Sequence, residues 1–205
     1  MPKIFFAKTP GEAWKKAVKL VMSKGKLITN EKETLKECLH VIISIKNPLK
    51  SDKILKKFVD KDLLKFMEKN FLKCEPVKDW GYSYGSRIFN FRGVNQVDEV
   101  VKKLSKKPES KSAVIILSDP LCDFQTHTPC LSILDFKIRG GKLLTTAFFR
   151  SQDVGKKIYA DIIMIGKISK IIADRLRIKL GSLILVIVSA HIYKKDWAKI
   201  NRFFL

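Results

Sequence analysis

Cys130 is the residue with the clearest capacity for chemistry. It follows a proline and precedes an alternating apolar segment in THTPCLSILDF, at 126–136. Four irregularly spaced cysteines in 205 residues argue against a disulfide framework. The neighbouring Cys122, Asp123 and His127 do not form a recognisable zinc pattern, so we expect no metal. Two interpretations remain: a silent buried thiol or a nucleophile.

A nucleophilic thiolate is favoured by a nearby cation, and Arg150 can supply one. Residues 132–138 and 142–149 are typical of two strands, and the glycines at 139–141 predict a hairpin turn between them. Folding the chain about this turn places Cys130 opposite Arg150. The sequence therefore predicts a guanidinium beside the thiol.

The segment RSQD at 150–153 lies between a predicted strand and a predicted helix. Free N–H groups at a helix start, the Ser151 hydroxyl and the Arg150 guanidinium can converge on a phosphate. The alternative is an Asp153 cap with a surface arginine.

Two further polar sites stand next to apolar segments. Asp161 falls within the apolar stripe of a predicted helix at 154–177, either at an exposed edge or facing a ligand pocket. His191 and Tyr193 leave the most apolar strand, 183–188, on one side. They either hold a ligand hydroxyl or are partly buried rings with backbone partners.

The elements that must position these residues predict an α+β fold. We expect one domain over 1–205, a three-layer-like sandwich with a mixed, largely antiparallel twisted sheet covered by helices. An aromatic loop at 79–89 is too long for a plain turn. Periodicity predicts helices at 11–24, 51–72, 96–106 and 154–177, and strands at 38–45, 113–117, 132–138, 142–149 and 183–188.

The chain carries a net charge of +21, with 34 lysines and only seven arginines. This charge fits a solvated lysine surface, a nucleic-acid-binding module or steering of a small anionic substrate. Specific nucleic-acid recognition favours arginine, so obligatory nucleic-acid binding is not expected. The sequence shows neither a signal peptide nor an apolar stretch long enough to span a membrane, and we expect a cytoplasmic protein.

Five segments in order resemble the thymidylate synthase family, over roughly residues 82–197 and in the manner of its short archaeal branch. They are YSYGSRI, NQVDEVVKKLSKKPESKSAVIILSDP, TPCLSILDF, RSQDVGKKIYAD and SAHIY. The resemblance implies a methyltransferase in which the Cys130 thiolate attacks C6 of deoxyuridylate. C5 then takes a one-carbon unit from 5,10-methylene-tetrahydrofolate or a methanopterin analogue, and reduction gives thymidylate.

The resemblance also assigns roles to residues. It implies that Arg150 and Ser151 bind the phosphate and that His191 and Tyr193 bind the deoxyribose. Asp153 is expected at the base or pterin. Gln152 and Lys111 are further expected substrate contacts, and Tyr84 and Arg87 are expected near the cosubstrate.

The chain departs from the family at several positions. Leu131 and Asp135 replace a histidine and a glutamine, and Lys111-Ser112 replaces an arginine pair donated across a dimer. A homodimer is implied by the family, and a monomer is the alternative. Glu68 is the nearest candidate for the catalytic glutamate.

Asp161 stands where the family has a uracil-reading asparagine. A carboxylate accepts hydrogen bonds and suits the amino group of cytosine. The alternative substrate is therefore deoxycytidylate, with hydroxymethylation as the reaction.

Overall fold

A computed structural model describes residues 1–29, 33–78, 80–125 and 127–204. The strands are β1 Lys3–Ala7, β2 Lys26–Thr29, β3 Thr34–Ile45, β4 Val114–Ile116, β5 Leu131–Arg139, β6 Lys142–Asp153 and β7 Lys179–Tyr193. The helices are α1 Pro10–Lys24, α2 Lys53–Phe58, α3 Lys61–Leu72, α4 Tyr84–Phe89, α5 Gln96–Lys106, α6 Ile158–Arg175 and α7 Trp197–Phe204. Thr126, the first residue of the cysteine segment, lies outside the described residues.

The strands form one mixed sheet in the order β1-β3-β7-β6-β5-β4, and β2 also pairs with β3. The β1–β3 and β6–β7 pairs are parallel, and the other four pairs are antiparallel. The chain therefore has the predicted α+β fold with a mixed, largely antiparallel sheet. The expectation of a single domain over 1–205 remains a prediction.

Helix α1 illustrates how local signals fix an element. Thr9 caps its first turn by accepting from the Glu12 N–H, and Pro10 stands where a helix needs no donor. The apolar stripe is fully buried and comprises Trp14, Ala17, Val18 and Val21. This stripe drives α1 onto the core.

Helix α6 packs the other large apolar surface against the sheet. Its stripe is buried from Ile158 to Ile172, and the Ser169 hydroxyl meets that of Thr145 on β6 at 2.8 Å. This hydroxyl pair satisfies two polar groups that would otherwise be buried without partners. Asp161 lies in the same stripe, which places a carboxyl group inside the protein.

The sheet has a second face that these helices leave uncovered. Along β7 the odd-numbered residues from Leu183 to Ile187 are buried, while Ile184 and Val186 between them are only half-buried. On neighbouring strands Ile133 is 40% exposed and Phe148 is 39% exposed. We call this surface, made of Ile133, Phe148, Ile184 and Val186, the open face.

The structure refines several predicted elements. The predicted helix at 51–72 is two helices, because Asp60 accepts from the N–H groups of Asp62 and Leu63 and starts α3 afresh. The predicted loop at 79–89 contains the short helix α4. Helix α6 begins only at Ile158, because Asp153 folds the preceding residues into a turn.

Replacement of Phe149 by alanine tests the core assignment. Phe149 is 1% exposed, and its loss leaves a cavity under the sheet. We expect the free energy of unfolding to fall by about 3–5 kcal/mol in a urea titration. Phe124→Ala is the control, because that side chain is 84% exposed and should change stability little. Equal losses in the two variants would contradict this assignment of the core.

Candidate active site

Cys130 lies immediately before β5 with its side chain half-buried. Its Sγ accepts from the Ser151 hydroxyl at 3.4 Å. The next residue, Leu131, donates its N–H to the Tyr84 phenol oxygen at 3.2 Å. The thiol is therefore reachable, while the chain around it is fixed by β6 on one side and by α4 on the other.

The β5–β6 hairpin brings Cys130 and Arg150 together as the sequence predicts. Near the turn Ile138 pairs with Leu143, a register centred between the two glycines, and an irregularity after Leu131 shifts the pairing by one residue. As a result the Arg150 N–H donates to the Cys130 carbonyl at 2.9 Å.

The Arg150 guanidinium does not take the position that the hairpin argument predicts. Its Nε donates to the carbonyls of Thr128 and Pro129 at 3.2 and 3.1 Å. Its Nη1 lies 3.3 Å from the Ser151 hydroxyl. The backbone contacts hold the segment that leads to Cys130, and Ser151 stands between the cation and the thiol.

Three phenols surround the thiol. Burial raises the pKa of Tyr84 well above its ordinary value and that of Tyr82 to about 12. Burial also raises the pKa of Tyr193, and negative charge on Cys130 adds to the shift for all three. These side chains therefore stay neutral near pH 7, and their hydroxyls keep a proton to donate.

Asp153 and His191 are cross-strand partners on the parallel strands β6 and β7. One carboxylate oxygen of Asp153 accepts from the N–H groups of Gly155 and Lys156, both at 3.0 Å. Burial raises the pKa of Asp153. Burial lowers the pKa of His191, and the charge of Asp153 opposes that shift.

Tyr193 lies beside His191, with ring centroids 5.0 Å apart in an edge-to-face arrangement. The two rings thus share one side of the strand exit, as the sequence predicts. On the neighbouring strand Glu37 pairs with His191 and accepts from the Ser189 hydroxyl at 2.5 Å. Hydroxyls and rings from three strands therefore line this end of the sheet.

Gln152 and Asp161 form a buried pair. The Gln152 Nε2 donates to Asp161 Oδ2 at 2.7 Å. Burial raises the pKa of Asp161 to about 6, against the opposing effects of Lys157 and Gln152. The exposed-edge interpretation of Asp161 is wrong, because the apolar stripe carries it inside.

Arg87 and Tyr84 belong to the scaffold around the site. The Arg87 guanidinium is buried, forms a two-pronged ion pair with Asp123 and also donates to the Leu117 carbonyl. The Tyr82 ring stacks on it at 3.8 Å. Arg87 therefore fixes the loop that leads to Cys130.

Two predicted residues lie apart from this cluster. Lys111 is exposed ahead of the edge strand β4, and no described contact joins it to the cysteine. Glu68 forms a surface ion pair with Lys167 at 2.5 Å. Neither side chain contacts the cluster in this structure.

The sequence argument missed three residues at the mouth of the site. His127 stacks on Trp80 with ring centroids 5.7 Å apart, and the Lys157 ammonium lies 5.9 Å from the same ring. The Lys157 charge also acts on His127, Asp153, Asp161 and His191. Lys157 was detectable in principle, because it stands four residues before Asp161.

Two general features complete the description. Within the described ranges no three His, Cys, Asp or Glu side chains cluster in a way that could hold a metal ion. In the same part of the chain no helix combines the length and apolarity needed to cross a membrane.

A reachable cysteine held against a hydroxyl, at the end of a mixed α+β sheet, defines an enzyme site of the nucleophilic class. Residues 13–204 match the sequence pattern of the family described as thymidylate synthase. The chain belongs to the thymidylate synthase family. Membership makes it a methyltransferase-type enzyme, in a family that uses a folate-type one-carbon donor.

Archaeal relatives extend this match. A Methanosarcina barkeri protein is 33% identical over 199 residues, covering 95% of this chain and 91% of its own length. A Methanothermobacter marburgensis protein is 30% identical, with 91% of each chain covered. One from Methanocaldococcus jannaschii is 28% identical, over 94% and 91% of the two chains. All three carry the name thymidylate synthase provisionally.

Replacement of Arg87 by methionine tests its structural role. The change leaves the Asp123 carboxylate buried without its cation, so we expect a loss of about 3–5 kcal/mol in the free energy of unfolding. The double variant Arg87→Met, Asp123→Asn should lose less, because no unpaired charge remains buried. Unfolding in urea measures both. Unchanged stability in the single variant would contradict the scaffold role.

Proposed function

We propose that this protein converts deoxyuridylate to thymidylate. The observation that carries the proposal is the half-buried Cys130 thiol, hydrogen-bonded to Ser151 in a chain that belongs to this family. Cys130 acts as the nucleophile that adds to C6 of the pyrimidine. This addition makes C5 electron-rich, so that C5 can bond to an incoming carbon.

The nucleotide is held by groups along β6 and β7. Ser151 and Arg150 bind the phosphate, because a hydroxyl and a guanidinium at the end of β6 suit an anion. His191 and Tyr193 bind the deoxyribose 3′-hydroxyl from the neighbouring strand. Gln152 and Asp161 contact the base from the start of α6.

The cosubstrate is 5,10-methylene-tetrahydrofolate or a methanopterin analogue, which supplies the carbon and the hydride. The stacked Trp80 and His127 rings and the nearby Lys157 fit a flat pterin ring. Asp153 lies at the base or pterin. Tyr84 and Arg87 act from behind, by holding the segment around Cys130. Loss of the C5 proton and of the Cys130 bond completes the reaction.

Hydroxymethylation of deoxycytidylate is the second candidate. The observation that favours it is the buried carboxyl of Asp161, which accepts a hydrogen bond when ionised. In this reaction water, rather than hydride, reacts with the transferred carbon.

Nucleic-acid binding has weaker support. Its motive is the net charge of +21 alone, and the basic surface also steers small anionic nucleotides toward the site. We propose that the enzyme acts in the cytoplasm without an obligatory nucleic-acid partner.

We also propose a homodimer, with the open face as its interface. Four apolar side chains there are only half-buried or exposed, and a second copy would remove them from water. The arginine pair of the family is Lys111-Ser112 here, so the site draws less charge from a partner. A monomer is the alternative.

Adduct formation tests the proposed function. Incubation with fluorodeoxyuridylate and methylene-tetrahydrofolate should add the mass of both ligands to the chain, on the peptide that contains Cys130. The Cys130→Ser variant should form no adduct, and Cys122→Ser should form it normally, because Cys122 lies on an exposed loop. The methanopterin analogue is tested in parallel. Absence of nucleotide binding at millimolar concentration would overturn the proposal.

Analytical ultracentrifugation tests the interface. We expect the protein to sediment at twice the chain mass, and Ile133→Lys to shift it toward the monomer, because the new charge would be desolvated at the interface. Leu121→Lys is the control, since Leu121 is exposed on a loop away from the open face. A monomeric wild-type protein would rule out the homodimer.

A further inference from the structure

The Gln152–Asp161 pair has a built-in asymmetry. Gln152 is 1% exposed and Asp161 is 2% exposed, so neither group can exchange its partner for bulk water. The Gln152 amide N–H occupies Asp161 Oδ2 at 2.7 Å. Asp161 Oδ1 makes no hydrogen bond to any described residue. One carboxyl oxygen is therefore fixed by the protein, and the other is left for a ligand.

This asymmetry fixes where a proton can reside. Oδ2 accepts from Gln152, so a proton on the carboxyl group belongs on Oδ1. When Asp161 is protonated, Oδ1 presents an O–H donor. When it is ionised, the same atom presents only lone pairs. The position of the group stays the same, while its hydrogen-bonding character reverses.

Uracil and cytosine differ at C4 in the same sense. Uracil carries a carbonyl there, which accepts a hydrogen bond, and cytosine carries an amino group, which donates one. We propose, on the basis of the function proposed above, that Gln152 and Asp161 act as one unit that selects the base by the protonation state of Asp161. The acid form selects deoxyuridylate, and the carboxylate form selects deoxycytidylate.

The surroundings place this reversal near neutral pH. Burial raises the pKa of Asp161 to about 6. The Lys157 ammonium at the start of α6 and the Gln152 hydrogen bond lower it, and the Asp153 carboxylate on β6 raises it. From α4, the buried Tyr84 phenol also faces this charge. Lys157 is thus a positioning residue that sets the pH of the reversal.

The test measures the dissociation constants of both nucleotides for the full chain by calorimetry, from pH 5 to pH 8. The informative quantity is their ratio, because phosphate and His191 ionisation affect both ligands alike. If each base needs one protonation state, the ratio changes about tenfold per pH unit. We expect deoxyuridylate to bind more tightly in acid and deoxycytidylate in base.

Variants separate this inference from a general effect of pH. Asp161→Asn should give a ratio independent of pH, because the amide does not titrate. Lys157→Met removes a cation that lowers the pKa of Asp161, so the pH at which the two affinities cross should rise. Gln152→Leu should shift the crossing in the same direction. Lys156→Met is the matched control and should leave it unchanged.

The outcomes are distinguishable. A wild-type ratio that is constant across the pH range, with both nucleotides binding, overturns the selection mechanism and leaves the nucleotide-binding function standing. A ratio that still changes with pH in Asp161→Asn assigns the effect to another group and also overturns it. No binding of either nucleotide at any pH overturns the proposed function, and this inference with it.

Discussion

The backbone hydrogen bond from Arg150 to Cys130 is the constraint on which the site depends. It joins the chain before β5 to the end of β6 at 2.9 Å. Because β6 runs parallel to β7 with Ser151 opposite Ser189, the same register also aligns the sugar-side groups of β7 with the thiol. A one-residue slip in the hairpin would turn Ser151 to the other face of the sheet. Sheet register thus determines the geometry of the chemistry.

Much of this arrangement could be predicted from local signals. Apolar periodicity identified the long elements, and the two glycines at 140 and 141 predicted the hairpin with Cys130 opposite Arg150. The prediction depended on compensation, since the turn is centred half a residue later than assumed and the irregularity after Leu131 restores the pairing. Such irregularities depend on tertiary packing and leave little trace in residue type.

Side-chain contacts were harder to foresee. The hairpin argument placed the Arg150 guanidinium at the thiol, but it binds the carbonyls of Thr128 and Pro129. Arg87 pairs with Asp123, 36 residues away. Periodicity describes which face a residue occupies, and it does not specify which of several acceptors a long, flexible side chain will reach.

The short helix α4 has a mechanical consequence for the cysteine. Through Arg87 it holds Asp123, seven residues before the thiol, and through Tyr84 it holds the Leu131 N–H just after it. Both attachments lie within six residues of one another on a single helix. The cysteine is therefore suspended like a bridge deck between two piers on one foundation. Twisting of the sheet would move both piers together and leave the span between them unchanged.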